Sequence, residues 1–172
     1  SACLVGSEMC IRDRAETALR ELGDAAVPAL WCAARPARPG ADDETESSRR
    51  RRRAALGVLL DLGATGGEAW HTEAEALTDD HDPEIAVLGC RLLLTLGSLA
   101  QQRAAANRML DLLDRVAAHV RSAIEDELVR HAGLIRETEA MRSSSQPLPP
   151  EHVPSPRERA LRRIANRIGA MA

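Results

Sequence analysis

The sequence predicts an all-α protein, an α-solenoid of about three antiparallel helix pairs followed by a C-terminal amphipathic helix. Three observations predict it. The apolar residues are mainly Leu, Ala, Val and Ile, with no Phe, no Tyr and two Trp among 172 residues. Small aliphatic side chains suit closely packed helices, whereas sheets favour aromatic and β-branched residues in alternation. Helix-stop motifs recur at regular spacing, and apolar residues between them follow a helical period.

Four short motifs mark the stops, and each ends in glycine. Glycine directly after a helix is the usual left-handed cap, because it carries no side chain that clashes there. One stop per unit of this length indicates a helix–turn–helix repeat. The motifs are Glu21-Leu22-Gly23, Asp61-Leu62-Gly63, Thr95-Leu96-Gly97 and His131-Ala132-Gly133, at spacings of 40, 34 and 36 residues.

The predicted helices follow from caps and apolar spacing between these stops. Asp24 is the expected N-cap of the first helix, with Pro28 in its first turn, and Asp82 with Pro83 is a strong start signal further along. The helix that begins at Pro83 is apolar on every side apart from Arg91, so it belongs in the middle of a stacked array. The three predicted pairs are Ala25–Ala34 with Ser48–Leu62, Glu68–Leu77 with Pro83–Leu96, and Leu99–Leu113 with Ala117–Ala132.

A basic amphipathic helix is predicted near the C-terminal end, after a linker rich in Pro and Ser over residues 143–154. Ser155 and Glu158 form a capping box, and the helix should cover Pro156–Met171. Docking on the acidic solenoid is our preferred interpretation. The alternatives are an exchangeable peptide for another protein and an anionic membrane or nucleic-acid surface. The candidate docking residues are Arg157, Leu161, Arg162, Ile164 and Ile168.

Charge is unevenly distributed along the chain. All 23 basic residues are arginine, which a GC-rich bacterial gene explains, and the formal net charge is -3. Residues 54–140 carry a net charge of -8, and residues 141–172 one of +4. The overall balance argues against a strongly basic nucleic-acid-binding domain. Since the sequence shows neither a membrane-spanning apolar run nor a secretory signal pattern, we expect a cytoplasmic protein.

Residues 4–14 differ from the rest of the sequence. They have no helical period, and they can be encoded by a DNA string that resembles the transposon-end adapter used to prepare sequencing libraries. We therefore expect residues 1–14 to be non-native, which removes Cys3 and Cys10 from the cysteine count and leaves the natural N-terminus undefined. The expected organisation is this segment, then a solenoid over 15–142, a linker over 143–154 and a helix over 155–172.

Residues 15–133 resemble HEAT repeats, particularly the short bacterial PBS-lyase HEAT-like kind. The residues that carry the resemblance are the run from Ala18 to Leu30, Asp82-Pro83-Glu84, and the run from Cys90 to Gly97. The resemblance implies a right-handed α-solenoid whose concave face binds protein partners. A minority of the family act on bilin chromophores, and one DNA-glycosylase branch binds damaged duplex. Two departures are the inserted loop over residues 35–47 and the end of the third unit, which is His-Ala-Gly in place of Leu-Gly.

Five consecutive arginines are the sharpest local feature: Arg49, Arg50, Arg51, Arg52 and Arg53. They stand where a helix begins, and the helix dipole makes positive charge unfavourable there. Local neutralisation by Asp42, Asp43, Glu44 and Glu46 is the simpler interpretation. The alternative is a patch that binds an anion, a nucleic acid or a protein partner.

The remaining clusters of polar residues do not indicate a metal or catalytic site. His81 among Asp79, Asp80 and Asp82 is typical of a polar turn with an Asp cap, since a metal or catalytic site needs groups from separate elements. Cys32 and Cys90 lie in apolar helical stretches and are expected in the core.

No catalytic residue, metal ligand, cofactor or small-molecule substrate is therefore predicted. The leading hypothesis is a non-enzymatic scaffold for protein–protein interaction, with a protein partner of unspecified identity. Duplex DNA binding through the arginines and the tail of a larger multidomain protein are the alternatives, and a bilin-lyase role by family analogy ranks third.

Overall fold

The computed structural model describes residues 14–35, 44–63, 68–135 and 153–171. These residues form helices and turns without a strand, which confirms the all-α prediction. The chain divides into two compact units, Ser1–Trp70 and His71–Ala172. The elements are α1 (residues 14–22), the 3-10 turn η1 (Gly23–Ala26), α2 (Val27–Ala34), α3 (Glu46–Asp61), α4 (Glu68–Leu77), α5 (Pro83–Leu96), α6 (Leu99–Leu112), α7 (Ala118–Arg130), α8 (Ala132–Ile135) and α9 (Pro156–Ala170).

Helix boundaries follow the local caps closely. The predicted bounds of α4 and α5 are confirmed, and α6, α7 and α9 differ from the prediction by one or two residues at their ends. Helix α3 begins two residues earlier than predicted because Thr45 is its N-cap, with Oγ1 accepting the Ser48 N–H at 3.2 Å. The Asp82 carboxylate caps α5 as predicted.

The predicted left-handed conformation is right at two of the glycine stops and wrong at the other two, although α5 does end at Leu96, directly before Gly97. Gly23 and Gly63 have φ of 55° and 58°, so both adopt the left-handed cap conformation. Gly97 is extended, with φ of -75° and ψ of 160°, because Ser98 immediately starts the next helix as its N-cap. Gly133 lies inside α8, where the chain turns helical again one residue after His131.

The predicted N-cap at Asp24 is also wrong. Asp24 lies within η1, and the N-cap position of α2 is Ala26, whose side chain makes no capping bond. The 3-10 turn replaces a side-chain cap here, since the Val27 N–H bonds to the Asp24 carbonyl and carries the chain directly into α2. Residues 1–13, 36–43, 64–67 and 136–152, with the predicted adapter segment and most of the linker, lie outside the described residues.

The first unit contains an α2–α3 helix pair. Leu30, Trp31, Leu56 and Leu59 are buried in it. The Trp31 ring stacks on Trp70 with 5.3 Å between centroids and 4° between planes. The only two tryptophans of the chain thus lie face to face within this unit.

In the second unit, α5 and α6 form an antiparallel hairpin joined by Gly97 and Ser98. The pairs predicted from the sequence join α5 with α4 and α6 with α7. In the structure, α5 and α6 make the most extensive helix–helix contacts of this unit. Helix α5 is buried on most sides, as its apolar circumference predicts, and Arg91 reaches the Glu127 carboxylate at 3.4 Å. Helix α7 contacts α5 and α6, and α8 contacts α6 and α7.

Three arginines stabilise the C-terminal ends of other helices. The last carbonyls of a helix have no partner within it and lie at the negative end of the helix dipole, so a cationic donor is favourable there. Each arginine reaches across to such an end through its Nε–H. The bonds are Arg52 to the Ala34 carbonyl after α2 at 2.8 Å, Arg108 to Thr78 after α4 at 3.1 Å, and Arg121 to Leu113 after α6 at 2.7 Å.

Replacement by alanine should have opposite effects on the free energy of unfolding at two helical glycines. A Cβ on Gly89 would lie 2.8 Å from the Leu77 Cβ and 3.0 Å from its carbonyl carbon. Gly89→Ala should therefore lower the free energy of unfolding by about 1–3 kcal/mol through overpacking. A Cβ on Gly57 would meet nothing within 4 Å. Gly57→Ala should instead raise it by about 0.5–1 kcal/mol through helix propensity.

Urea unfolding followed by far-UV circular dichroism measures both changes. Gly57→Ala is the matched control, because it makes the same change in a helix without a close neighbour. Equal effects of the two substitutions would contradict the close approach of α5 to Leu77.

Candidate interaction sites

Arg52 is an internal residue of the α2–α3 pair. Its side chain is 1% exposed, donates from Nε to the Ala34 carbonyl and donates from Nη1 to the Glu44 carboxylate at 2.9 Å. A buried arginine that joins a helix end and a carboxylate stabilises the fold. Arg52 therefore cannot present its charge to a ligand in this conformation.

Three of the other four arginines of the run lie around a single acid. The Glu46 carboxylate is 3.3 Å from Arg49, 3.0 Å from Arg50 and 3.9 Å from Arg53. Arg50 and Arg51 point outward, and Arg50 is 75% exposed. This geometry favours local neutralisation by Glu44 and Glu46. Asp42 and Asp43, the other predicted partners, lie outside the described residues.

The second candidate site is the surface where α9 packs on α7. Helix α9 begins with the predicted capping box, in which Ser155 Oγ accepts the Glu158 N–H at 3.1 Å and the Glu158 carboxylate accepts the Ser155 N–H at 2.6 Å. Its apolar stripe is buried. The buried residues of α9 are Ala160, Leu161, Ile164 and Ile168.

Arginine–carboxylate pairs flank the apolar stripe. Arg163 binds both oxygens of Glu125, at 2.9 Å from Nε and 2.6 Å from Nη2. The Glu125 side chain is 8% exposed, and its hydrogen bond raises the pKa of Arg163. Arg167 pairs with Asp126 at 2.8 Å. Planar guanidinium groups match a carboxylate in this two-bond geometry, which an ammonium cannot reproduce.

The first turn of α9 is anchored at the end of α6. The Arg157 N–H donates to Asp114 Oδ1 at 2.9 Å, which places a negative charge at the positive end of the α9 dipole. The Arg157 side chain donates to the Leu110 carbonyl at 3.2 Å and to Asp111 at 3.1 Å. Helix α9 thus starts beside the α6–α7 turn and continues along α7.

The predicted docking residues did not include Arg163 and Arg167, which make the ion pairs with α7, or the acids that face α9. Leu161, Ile164 and Ile168 are buried in the contact, Arg157 binds α6, and Arg162 is half-buried. The acids on the opposite side are Asp111, Asp114, Glu125 and Asp126. The negative charge of residues 54–140 was the available signal, but it does not indicate which acids share a surface.

The turn around His81 is a polar cap, as predicted. Asp82 Oδ1 accepts the N–H groups of Glu84 and Ile85 at 2.9 and 3.3 Å, and Asp80 accepts the Asp82 N–H at 2.9 Å. His81 is exposed. Among the residues that the structure describes, no three His, Cys, Asp or Glu side chains are grouped to hold a metal ion.

The two described cysteines have different environments. Cys90 is buried as predicted, and loss of solvation raises the pKa of its thiol to about 12. Cys32 is exposed, so its predicted place in the core is wrong. Helix α2 buries Leu30, Trp31 and Ala34, and Cys32 lies on the opposite side of the same helix.

No protein-family model, curated protein or solved structure matches this chain. The resemblance to HEAT repeats therefore stays a prediction from the motif residues. Each helix in the described part of the chain is too short or too polar to cross a bilayer.

Replacing Arg52 should destabilise the protein far more than replacing its exposed neighbour Arg50. Arg52→Ala leaves the Ala34 carbonyl and Glu44 without the guanidinium, so we expect a loss of about 2–4 kcal/mol in the free energy of unfolding. Arg50→Ala should change it by less than about 0.5 kcal/mol. Chemical denaturation of both variants tests this, and similar losses would show that Arg52 has no special role.

Thiol labelling should separate the two cysteines. A maleimide reagent near neutral pH should modify Cys32 quickly and Cys90 only after denaturant is added, because reaction needs exposure and thiolate. Peptide mapping by mass spectrometry assigns the label to each site. Rapid labelling of Cys90 in the native protein would be inconsistent with its burial.

Proposed function

We propose that this chain is a non-enzymatic scaffold for protein–protein interaction, built as a HEAT-like α-solenoid and acting in the cytoplasm. The observation that carries the proposal is the contact between α7 and α9. Helix α9 is separated from α7 in sequence, yet apolar residues and three arginines hold it on the α6–α7 surface. A surface that binds one amphipathic helix has the chemistry needed to bind helices of other proteins.

Contacts between alternate helices support the solenoid part of the proposal. In the second unit, α5 touches α7 and α6 touches α8, while α5 and α6 form an antiparallel pair. Stacked helix pairs produce this combination, because each layer of a solenoid consists of every second helix. Two of the three HEAT-like motif segments, Asp82-Pro83-Glu84 and the run from Cys90 to Gly97, lie at the start and end of α5, one of these helices.

Nucleic-acid binding is the second candidate. Arg50 and Arg51 are exposed and could contact phosphate. Base-handling proteins also use aromatic platforms, but Trp31 is 1% exposed and its ring is stacked on Trp70. The remaining alternatives, the tail of a larger protein and bilin chemistry, rest on the sequence alone.

Titration with duplex DNA discriminates between the candidates. For the scaffold we expect no measurable affinity at about 50 mM salt and hence no salt-dependent slope. Binding that weakens steeply between about 50 and 200 mM salt, and that disappears in the Arg50→Ala/Arg51→Ala double variant, would favour the nucleic-acid candidate.

A partner should be recoverable without nucleic acid. Tagged full chain is incubated with nuclease-treated extract, and a captured protein is purified and titrated against the chain by calorimetry. The scaffold proposal expects saturable binding at a fixed ratio, undiminished in the Arg50→Ala/Arg51→Ala variant. Catalytic turnover by the chain that one polar substitution abolishes without unfolding it would contradict the proposal.

A further inference from the structure

The contact between α7 and α9 combines features of a fold contact with features of a reversible complex. The apolar stripe of α9 is buried. The ionic contacts around it are largely open to solvent, with Arg163 at 52%, Arg167 at 47% and Asp126 at 55% exposure. Exposed ion pairs contribute little to stability and are screened by salt, but they direct which partner binds and in which register. The ion pairs therefore direct the register of α9, while burial of its apolar stripe supplies most of its affinity.

The surface under α9 selects for arginine. Glu125 is 8% exposed, and Arg163 is the cation that faces it through two bonds. If α9 leaves, this carboxylate loses its two-bond partner, which favours another guanidinium at the same place. Asp126, Asp111 and Asp114 extend the negative charge along the path of α9.

The spacing on α9 defines the ligand that this surface fits. Apolar residues stand at relative positions 1, 2, 5 and 9, counted from Ala160 as position 1. Arginines that contact acids stand three residues before Ala160 and three and seven residues after it, at Arg157, Arg163 and Arg167. An apolar stripe of this period with arginine on both sides is an amphipathic basic helix.

We propose that the α6–α7 surface under α9, here called the α9 groove, is an exchangeable docking site for an arginine-rich amphipathic helix of another protein. Helix α9 occupies the groove as an internal competitor. The inference rests on the proposed scaffold function and names the chemistry of its partner. Charge complementarity carries it, since four acids of the groove meet arginine side chains or the N-terminal turn of α9.

Tethering determines how strongly α9 competes. A tethered ligand acts at an effective concentration of about millimolar, so a free helix with the same contacts displaces α9 only near that concentration. A natural partner must therefore make better contacts than α9, or bind when α9 is weakened. Weakening α9 on purpose should expose the groove.

The experiment uses the full chain and a labelled peptide of residues 153–171, with binding followed by fluorescence anisotropy. Arg163→Glu in the chain places two carboxylates together and should release its own α9. We expect this variant to bind the peptide about tenfold or more tightly than the unchanged chain does, because the internal competitor is weakened. Arg159→Glu is the matched control, since Arg159 bonds the Pro154 carbonyl within its own segment and should leave peptide affinity unchanged.

A charge-reversal pair identifies the groove as the binding place. Glu125→Arg in the otherwise unchanged chain places two guanidinium groups together and should also release α9. This chain should bind a peptide that carries Arg163→Glu and should not bind the unchanged peptide. Peptide binding that is unaffected by these charge reversals would overturn the assignment of the α9 groove as the binding site. Failure of the Arg163→Glu chain to bind the peptide, with its circular dichroism spectrum intact, would show that α9 is a permanent part of the fold.

Two further outcomes separate this inference from the proposed function. A captured partner whose affinity is unaffected by Arg163→Glu and Glu125→Arg would leave the scaffold function standing and overturn the α9 groove as its site. A doubled mass of the unchanged chain in light scattering, abolished by Glu125→Arg, would assign the groove to α9 of a second copy and overturn docking by another protein.

Discussion

Close approach between helices is the constraint on which this structure depends. A core without Phe or Tyr depends mainly on Leu, Ala, Val and Ile to fill the space between helices, so the helix axes must lie near one another. Gly89 shows how tightly this condition is met, because its backbone lies against the end of α4 with no room for a methyl group. Because the helices are packed so closely, a polar group that is buried between them needs a hydrogen-bonding partner.

Arginine supplies those partners. Arg52, Arg108 and Arg121 each reach from one helix to the carbonyl end of another, and Arg91 meets the buried Glu127. A guanidinium group can donate in several directions at once, so one side chain satisfies a helix end and a carboxylate together. The absence of lysine therefore matches a structural use of positive charge. Within the Arg49–Arg53 run, Arg52 has this role.

How well an element can be predicted from the sequence depends on whether the interactions that determine it are local or tertiary. The bounds of α4 and α5 and the capping box of α9 depend on residues within a few positions, and patterns of capping and periodicity identify them. Gly97 and Gly133 were assigned left-handed caps because the motif cannot show how soon the next helix begins. The pairing of α5 with α6 and the meeting of Arg163 with Glu125 depend on tertiary contacts, and no local pattern encodes them.

The stacked tryptophans also determine which part of this protein optical spectroscopy can detect. Both indole rings lie in the first unit, and the chain has no tyrosine to add a signal from elsewhere. Intrinsic fluorescence and near-ultraviolet dichroism therefore originate from one end of the sequence. Neither signal would detect local opening around α5–α9, so the second unit is optically silent. A single tryptophan introduced anywhere in that unit would therefore report on its own surroundings.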